Sequence, residues 1–197
     1  MKRIIRKILK KISKDYRQES NFRSKYCAFC AKDLLLKESS FIHPIGPLYI
    51  GCGSKLLCWS KYAYRNEIQT LEPSLKIGNN FHATRNLTIQ CAGEITIGDD
   101  VLMASDVLII NYNHGTDPAV SSYLDNPLEV STVRIEDGVW IGNNVIILPG
   151  VKIGKKSIIG AGSVVTKDVP EYSIAVGNPA RIIKHYDFNK QKWCKID

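Results

Sequence analysis

The feature that most constrains the fold of this 197-residue chain is a six-residue repeat between residues 135 and 169. Six consecutive blocks open with a branched aliphatic residue and close four positions later with a small or apolar one. The openers are Ile135, Ile141, Ile147, Ile153, Ile159 and Val165. A period of six matches neither the 3.6-residue period of an amphipathic helix nor the alternation of an ordinary strand. The repeat therefore predicts short strands separated by tight corners.

Stacked coils of such strands bury a column of aliphatic side chains that no single repeat could bury alone. We predict a mainly β fold, a parallel β-helix with three blocks per coil, in which each coil rises about 4.8 Å. Gly and Asn at the corners would accept positive φ angles. Looser blocks open upstream at Ile50, Leu56, Ile77, Ile97, Met103 and Ile109. The 20-residue step from Ile77 to Ile97 predicts a small bulge near residues 91–94.

Residues 111–132 interrupt the repeat, and they begin with Asn111-Tyr-Asn-His-Gly115. A long excursion from a repeat protein usually serves function or is disordered. Imidazole is the side chain that changes charge nearest to neutral pH, which suits general-base catalysis. We therefore predict that His114 is a catalytic base on an extruded loop. The alternative for any single histidine in a loop is an ordinary surface position.

The positive charge of the chain is concentrated at its N-terminus. The formal net charge is +8, and residues 1–17 hold eight Lys and Arg against Asp15, which leaves +1 for the rest. Aliphatic residues at helical spacing within residues 2–17 predict a short basic amphipathic helix. This helix would either bind an anionic membrane surface or pack on the body or on a neighbouring subunit. The nearly neutral body argues against nucleic-acid binding.

The chain contains no apolar run long enough to span a membrane and no recognisable secretory signal, so we expect a cytoplasmic protein. In that compartment its six cysteines are expected to be reduced. Cys27 and Cys30 form a C-x-x-C pair, and a zinc site would need two more ligands, which Cys52 and Cys58 could supply only at an unusual spacing. We expect packed or idle thiols and no metal.

The regular blocks, the histidine in an extruded loop and the tail from Val169 to Lys184 (VPEYSIAVGNPARIIK) resemble the hexapeptide-repeat O-acetyltransferases. This family includes the galactoside, maltose and nodulation-factor acetyltransferases and enzymes that acetylate bacterial surface polysaccharides. The resemblance covers roughly residues 70–185. It implies a left-handed β-helix, a homotrimer with active sites between subunits, and acetyl-CoA as co-substrate. We place the β-helix domain at residues 48–185, after an N-terminal helical or irregular extension (1–47) and before a C-terminal tail (186–197).

The same resemblance implies roles for residues around the acceptor. His114 would take the proton from the acceptor hydroxyl, and Asn86 would lie near the acceptor, where an amide can hold a developing oxyanion. A carboxylate should orient the imidazole or bind the sugar, and the sequence does not choose among three. The three carboxylates are Glu129, Asp125 and Asp117, of which we assign Glu129 as the catalytic partner. The predicted substrate-binding residues are Asn113, Asp117, Asp125 and Trp140.

The cofactor residues implied by the resemblance lie in the C-terminal coils. Small residues such as Ala161 and Gly162 would let the pantetheine arm lie against the wall of the β-helix. Lysine and arginine suit the phosphates of CoA. The full set is Asn143, Ala161, Gly162, Thr166, Lys167, Arg181 and Lys184.

The leading functional hypothesis is acetyl-CoA-dependent O-acetylation of a sugar hydroxyl in a bacterial surface polysaccharide, such as lipopolysaccharide or capsule, or in its precursor. The basic helix favours an acceptor at the inner face of the membrane. The second hypothesis is N-acetylation of a nucleotide-linked amino sugar or small molecule, because His114 could also deprotonate an amine. The third is a β-helix that is not an acyltransferase, either a zinc hydratase or a structural module. For zinc, His82 and His114 are the only plausible pair.

Overall fold

The computed structural model describes residues 17–196, which form a prism of short, mostly parallel strands preceded by helix α1 (residues 17–26). The predicted amphipathic helix at residues 2–17 lies outside the described residues except for Arg17, which is helical. The strands, in chain order, are β1 (Cys27–Cys30), β2 (Leu35–Lys37), β3 (Ile42–Pro44), β4 (Leu48–Ile50), β5 (Lys55–Cys58), β6 (Lys61–Tyr64), β7 (Glu67–Thr70), β8 (Ser74–Ile77), β9 (Phe81–Ala83), β10 (Thr88–Cys91), β11 (Glu94–Ile97), β12 (Leu102–Met103), β13 (Leu108–Ile110), β14 (Tyr112–His114), β15 (Leu128–Val130), β16 (Val133–Ile135), β17 (Trp140–Ile141), β18 (Ile146–Ile147), β19 (Lys152–Ile153), β20 (Ile158–Ile159), β21 (Val164–Val165), β22 (Ser173–Val176), β23 (Arg181–Asp187) and β24 (Lys192–Lys195). Short 3-10 turns lie at Ser39–Phe41 and Tyr123–Asp125.

The prism has three faces, each a sheet whose successive strands come from successive coils. Face A contains β1-β4-β9-β12-β17-β20-β22 and ends in the antiparallel strands β23 and β24. Face B contains β2-β5-β10-β13-β18-β21, and face C contains β3-β8-β11-β16-β19. The chain turns from A to B to C in every coil, so we name the edges corner AB, corner BC and corner CA. The predicted three blocks per coil are confirmed.

The strand register confirms the period. Ile141 pairs in parallel with Ile159, which is 18 residues later and therefore one coil of three hexapeptides away. Ile77 pairs with Ile97, 20 residues later, and no register shift interrupts the ladder. The two extra residues lie at the predicted place, because the inward residues Ile89 and Ile97 are eight positions apart whereas Ile77, Ala83 and Ile89 follow each other at six. They are taken up at corner BC between β10 and β11, without a register shift in either ladder.

The core of the prism consists of the residues that open and close the hexapeptides. All six predicted openers are at most 1% exposed, and the closing valines are buried beside them. Ser157 and Ser163 take two of the closing positions, and their hydroxyls donate to backbone oxygens at 2.6 Å, which satisfies them inside the core. Positive φ angles recur every six residues, at Gly138, Asn144, Gly150, Lys156 and Gly162. Lysine at one of these corners was not expected.

The strands extend beyond both ends of the predicted range 48–185. Strands β1, β2 and β3 already pair with β4, β5 and β8, so the first coil begins at Cys27. At the other end β22, β23 and β24 form an antiparallel ribbon that covers the last coil. Aromatic rings of Tyr172, Tyr186, Phe188 and Trp193 pack edge to face on this ribbon. Such a cap closes the hydrophobic column, which an uncapped repeat would expose.

The cysteines correct one expectation. Cys27 and Cys30 form a disulfide with their Cα atoms 5.3 Å apart, whereas reduced thiols were expected. The strand register shifts between Cys27 and Phe29, and this irregularity brings together two residues that a regular strand would hold about 10 Å apart. Cys58 lies buried against Cys91, and the hydrogen bond with Cys91 together with burial raises the pKa of the Cys58 thiol.

Two further findings concern residues 17–196 alone. No helix in this part of the chain is long and apolar enough to cross a membrane. It also contains no group of three His, Cys, Asp or Glu side chains arranged to hold a metal ion.

Candidate active site

Two excursions leave the prism at corner BC and pack on each other. The first is the β6–β7 hairpin at residues 61–70, and the second is the loop at residues 111–131 that contains the β14–β15 ribbon. The loop is closed at its neck, where the Ser131 N–H donates to the Asn111 carbonyl at 2.9 Å. The buried Asn111 side chain accepts from the Ala92 N–H at 2.8 Å and anchors the neck to the coil below. The predicted extruded loop is therefore a fixed arm.

Contacts between the excursions fix their relative position. The Gln69 amide accepts from the Leu128 N–H at 2.7 Å and donates to the Leu128 carbonyl at 3.0 Å. Leu128 is buried in a small apolar cluster with Leu71 and Ala92 at the base of the arm. Tyr112 packs on this cluster and donates to the Gln90 amide oxygen at 2.8 Å, and burial raises the pKa of the Tyr112 phenol.

His114 lies at the end of β14, opposite Leu128 in the ribbon, and its side chain is exposed. Its Nδ1 atom is 3.2 Å from the hydroxyl oxygen of Tyr62, which lies on β6. The same hydroxyl is 3.0 Å from the Leu124 carbonyl oxygen, to which it donates. The Tyr62 ring also meets the imidazole edge to face, with ring centroids 5.5 Å apart. Tyr62 is thus the side chain that contacts the predicted base.

Sequence reasoning missed the hairpin and Tyr62. A signal was present, because two short alternating segments, residues 61–64 and 67–70, flank the two-residue turn Arg65–Asn66. Arg65 has a positive φ of 49°, which a tight turn between strands requires.

None of the three candidate carboxylates forms a hydrogen bond or ion pair with the imidazole. Glu129 pairs with Asn113 in the ribbon, and neighbouring residues of a strand point to opposite faces, so both side chains lie on the face opposite His114. The Asp125 carboxylate accepts from the Ser121 hydroxyl at 3.2 Å. The Asp117 carboxylate accepts from the Ala119 N–H at 2.9 Å and holds its own turn.

Two other predicted acceptor residues lie on other parts of the prism. Asn86 is at corner AB with a φ of 52°, and its amide donates to the Asp106 carboxylate at 2.7 Å. This bond uses one of the two amide N–H groups and leaves the other free to serve a ligand. Trp140 projects from face A between Leu102 and Ile158 and is 51% exposed. Within one chain, neither residue shares a corner with His114.

The predicted cofactor residues fall into two groups, one at corner AB and one at corner BC and on strand β23. Asn143, Ala161 and Gly162 are at corner AB, where the Asn143 amide oxygen accepts from the Ser105 N–H at 2.9 Å. An added Cβ at Gly162 would meet no atom within 4 Å, so its backbone borders open space. Thr166 is exposed at corner BC, and Lys184 is half-buried on β23.

Lys167 and Arg181 are brought together at the C-terminal end of the prism. They line one cleft of about 220 Å³ with Asp168 and Ala180. Arg181 uses one guanidinium N–H for the Ala180 carbonyl, at 3.0 Å. Two cations in one cleft are suited to phosphate groups, which guanidinium and ammonium donors recognise by charge-assisted hydrogen bonds.

Comparison with known proteins supports the hexapeptide repeat that the sequence predicts. A family model described as bacterial transferase hexapeptide (six repeats) matches residues 132–167. The galactoside O-acetyltransferase of Escherichia coli K12 is 40% identical over 126 residues, which cover 60% of this chain and 61% of that protein. The putative lipopolysaccharide biosynthesis O-acetyl transferase WbbJ of the same strain is 43% identical over 108 residues, covering 51% of this chain and 55% of WbbJ. The chain thus matches less than two thirds of either relative.

A longer match and a solved structure extend the comparison. The galactoside O-acetyltransferase of Lactococcus lactis IL1403 is 33% identical over 162 residues, which cover 78% of this chain and 68% of that enzyme. A mutant of AntD, an N-acyltransferase from Bacillus cereus, shares the fold with a TM-score of 0.64 and 21% identity, covering 81% of each chain. That structure contains dTDP-4-amino-4,6-dideoxyglucose and coenzyme A. The predicted left-handed β-helix is confirmed, and the chain belongs to the hexapeptide-repeat acyltransferases, the family of the galactoside O-acetyltransferases.

Proposed function

We propose that this chain transfers an acetyl group from acetyl-CoA to a sugar hydroxyl. The observation that carries the proposal is His114, an exposed imidazole on an anchored arm of a hexapeptide β-helix. Two of the sequence relatives are galactoside O-acetyltransferases by name, which supports the reaction class. The cleft with Lys167 and Arg181 supplies two cations for the phosphates of the donor.

The proposed reaction needs one general base. His114 takes the proton of the acceptor hydroxyl while its oxygen attacks the thioester carbonyl carbon. The tetrahedral intermediate then collapses as the carbon–sulfur bond breaks. The imidazolium returns the proton to the departing sulfur, which gives free CoA and the acetyl ester. The free amide N–H of Asn86 is our candidate donor to the oxyanion.

A hydroxyl acceptor is favoured over an amine because the relative matched over 78% of this chain is a galactoside O-acetyltransferase, as is the Escherichia coli relative that is 40% identical. AntD supports only the fold, since its identity is 21%. N-acetylation of an amino sugar nonetheless remains the second candidate, because AntD holds a nucleotide-linked amino sugar on the same architecture. For the acceptor itself we propose a surface polysaccharide or its precursor, supported by the match to WbbJ. Residues 2–17 would then hold the enzyme at the inner face of the membrane.

We further propose a homotrimer, supported by the outer surfaces of the prism. The outward column of face A is largely apolar, whereas that of face C is mostly cationic. Face A carries Phe29, Tyr49, His82, Leu102, Trp140, Ile158 and Ile174, face B carries Leu35, Lys55, Thr88, Leu108, Ile146 and Val164, and face C carries His43, Lys76, Thr96, Arg134 and Lys152. A closed ring needs two different patches per copy, and faces A and B supply them.

This ring would complete the site. If face B of one copy packs on face A of the next, the arm with His114 at corner BC lies beside the neighbour's face A. Trp140 is exposed on that face. Residues that lie on different corners of one chain would then belong to one site shared by two copies.

The trimer gives a direct prediction. We expect Leu102→Glu on face A to yield monomers, because a buried unpaired carboxylate would oppose the interface. Thr96→Glu on face C should remain trimeric, since that column already carries charge. Sedimentation equilibrium reports the mass of each variant, and circular dichroism verifies that both are folded. A Leu102→Glu protein with the wild-type mass would contradict the proposed interface.

The proposed function is tested first by calorimetry of the purified protein with acetyl-CoA, with free CoA and ATP as comparisons. We expect micromolar binding of acetyl-CoA and CoA and much weaker binding of ATP, because ATP lacks the pantetheine arm. Thiol release in the presence of sugar acceptors would then identify the reaction. A folded protein that binds no CoA would overturn the acyltransferase proposal.

A further inference from the structure

We propose that Tyr62 is the positioning residue of His114: its hydroxyl holds the imidazole in the tautomer that keeps the proton on Nδ1 and leaves Nε2 as the base. The catalytic role of Tyr62 rests on the proposed function. The tautomer of His114 rests only on the hydrogen-bond geometry around the Tyr62 hydroxyl. None of the three carboxylates considered from the sequence contacts the ring, so the phenol takes the place that a carboxylate was expected to take.

The direction of the hydrogen bonds follows from counting protons. The Tyr62 hydroxyl has one proton and two close neighbours, the Leu124 carbonyl oxygen at 3.0 Å and His114 Nδ1 at 3.2 Å. A carbonyl oxygen can only accept, so the hydroxyl proton goes to Leu124. The Tyr62 oxygen must then accept from the imidazole, and Nδ1 must carry the proton. Neutral imidazole holds one proton, so Nε2 is left with its lone pair free.

The opposite arrangement would be unfavourable. If Nδ1 lacked the proton, the hydroxyl could satisfy either the imidazole or the carbonyl, but not both. The oxygen atoms of Tyr62 and Leu124 would then face each other at 3.0 Å without a hydrogen between them. Free histidine in water prefers the proton on Nε2, so the contact with Tyr62 reverses that preference. The reversed tautomer is the one a base needs if Nε2 is to reach the acceptor.

The surrounding backbone holds both partners in place. Tyr62 pairs with Gln69 across the hairpin, and the Gln69 amide makes two hydrogen bonds to Leu128. Leu128 in turn pairs with His114 across the ribbon. The four residues form a closed circuit in which every step is a strand pair or a hydrogen bond. The hairpin, which the hexapeptide pattern does not require, therefore has a specific task at the site.

The test compares Tyr62→Phe with Tyr64→Phe in the full-length protein. Tyr64 lies on the same strand, its ring stacks 6.0 Å from that of Tyr62, and its hydroxyl donates to Glu67 rather than to the imidazole. The first readout is nitrogen NMR of the histidine rings at about pH 8.5, where an imidazole is neutral. The His114 signals are assigned by their loss in His114→Ala.

We expect the proton on Nδ1 in the wild type and in Tyr64→Phe, and a shift toward the Nε2-protonated form in Tyr62→Phe. We also expect Tyr62→Phe to lower kcat about tenfold while the KM for acetyl-CoA changes little, because the lost bond orients the base and does not contact the donor. A wild-type ring protonated on Nε2, or a Tyr62→Phe spectrum and kcat like those of the wild type, would overturn the inference. A wild-type ring protonated on Nδ1 in a protein that transfers no acetyl group would leave the tautomer standing and overturn the proposed function.

Discussion

Replacing His114 with alanine is expected to lower kcat by about three powers of ten, because positioned general-base catalysis typically contributes 10²–10⁴-fold. The acceptor hydroxyl would then have to lose its proton to water as it attacks the thioester. The affinity for acetyl-CoA should stay within about twofold of the wild type, because the base acts in the transition state rather than in binding of the donor. Steady-state thiol release measures kcat, and calorimetry measures the affinity.

The matched control is His43→Ala. His43 is also exposed, but it lies on β3 in face C, away from the arm at corner BC. We expect wild-type turnover in this variant and an unchanged thermal midpoint in both. A His114→Ala enzyme with wild-type turnover would remove His114 from the mechanism. A large loss of turnover in His43→Ala would indicate that both substitutions lower activity by disturbing the fold.

The prism could be predicted from the sequence because its signal is local. Each hexapeptide carries its own inward aliphatic and its own corner residue, so the core from Ile135 to Val165 was read correctly at every block. The corner at Lys156 shows the limit of this reading, because lysine adopts a φ of 55° there without being a residue typical of such corners. The stacked coils on either side fix the turn more strongly than the preference of one residue.

The arm was predicted in position but not in structure. His114 could be selected because it opens the segment that breaks the repeat. Its partner Tyr62 is 52 residues away and meets it only because the hairpin and the ribbon leave the same corner. The expectation of a carboxylate partner depended on the register of the ribbon. A shift of one residue exchanges the faces of a strand, and Glu129 pairs with Asn113 rather than with His114.

The disulfide between Cys27 and Cys30 has the same explanation. Spacing alone cannot reveal it, because a regular strand separates residues three apart by about 10 Å. The irregular pairing of β1 with β4 shortens that distance to 5.3 Å between the Cα atoms. Local period thus predicts the stacked coils, whereas contacts that depend on irregular register appear only in the folded chain.

The largest expected effect on binding comes from Lys167→Ala combined with Arg181→Ala. Both cations line the cleft of about 220 Å³ at the C-terminal end of the prism. Hydrogen bonds to charged groups contribute about 1.5–3 kcal/mol each, so losing two phosphate contacts should weaken acetyl-CoA binding by at least about 100-fold. At saturating donor, kcat should be nearly unchanged, because neither side chain lies on the arm with His114. Calorimetry and the KM for acetyl-CoA measure the effect.

The control removes two cations from another face. Arg134→Ala with Lys76→Ala changes the net charge by the same amount, but both residues are exposed on face C, where Lys76 pairs with Glu94 at 2.7 Å. At about 0.15 M salt, charges on a different face are largely screened from the cleft, so this double variant should bind acetyl-CoA like the wild type. Equal losses in both variants would mean that overall charge attracts the donor. Unchanged affinity in the Lys167 and Arg181 variant would place the phosphates of CoA outside this cleft.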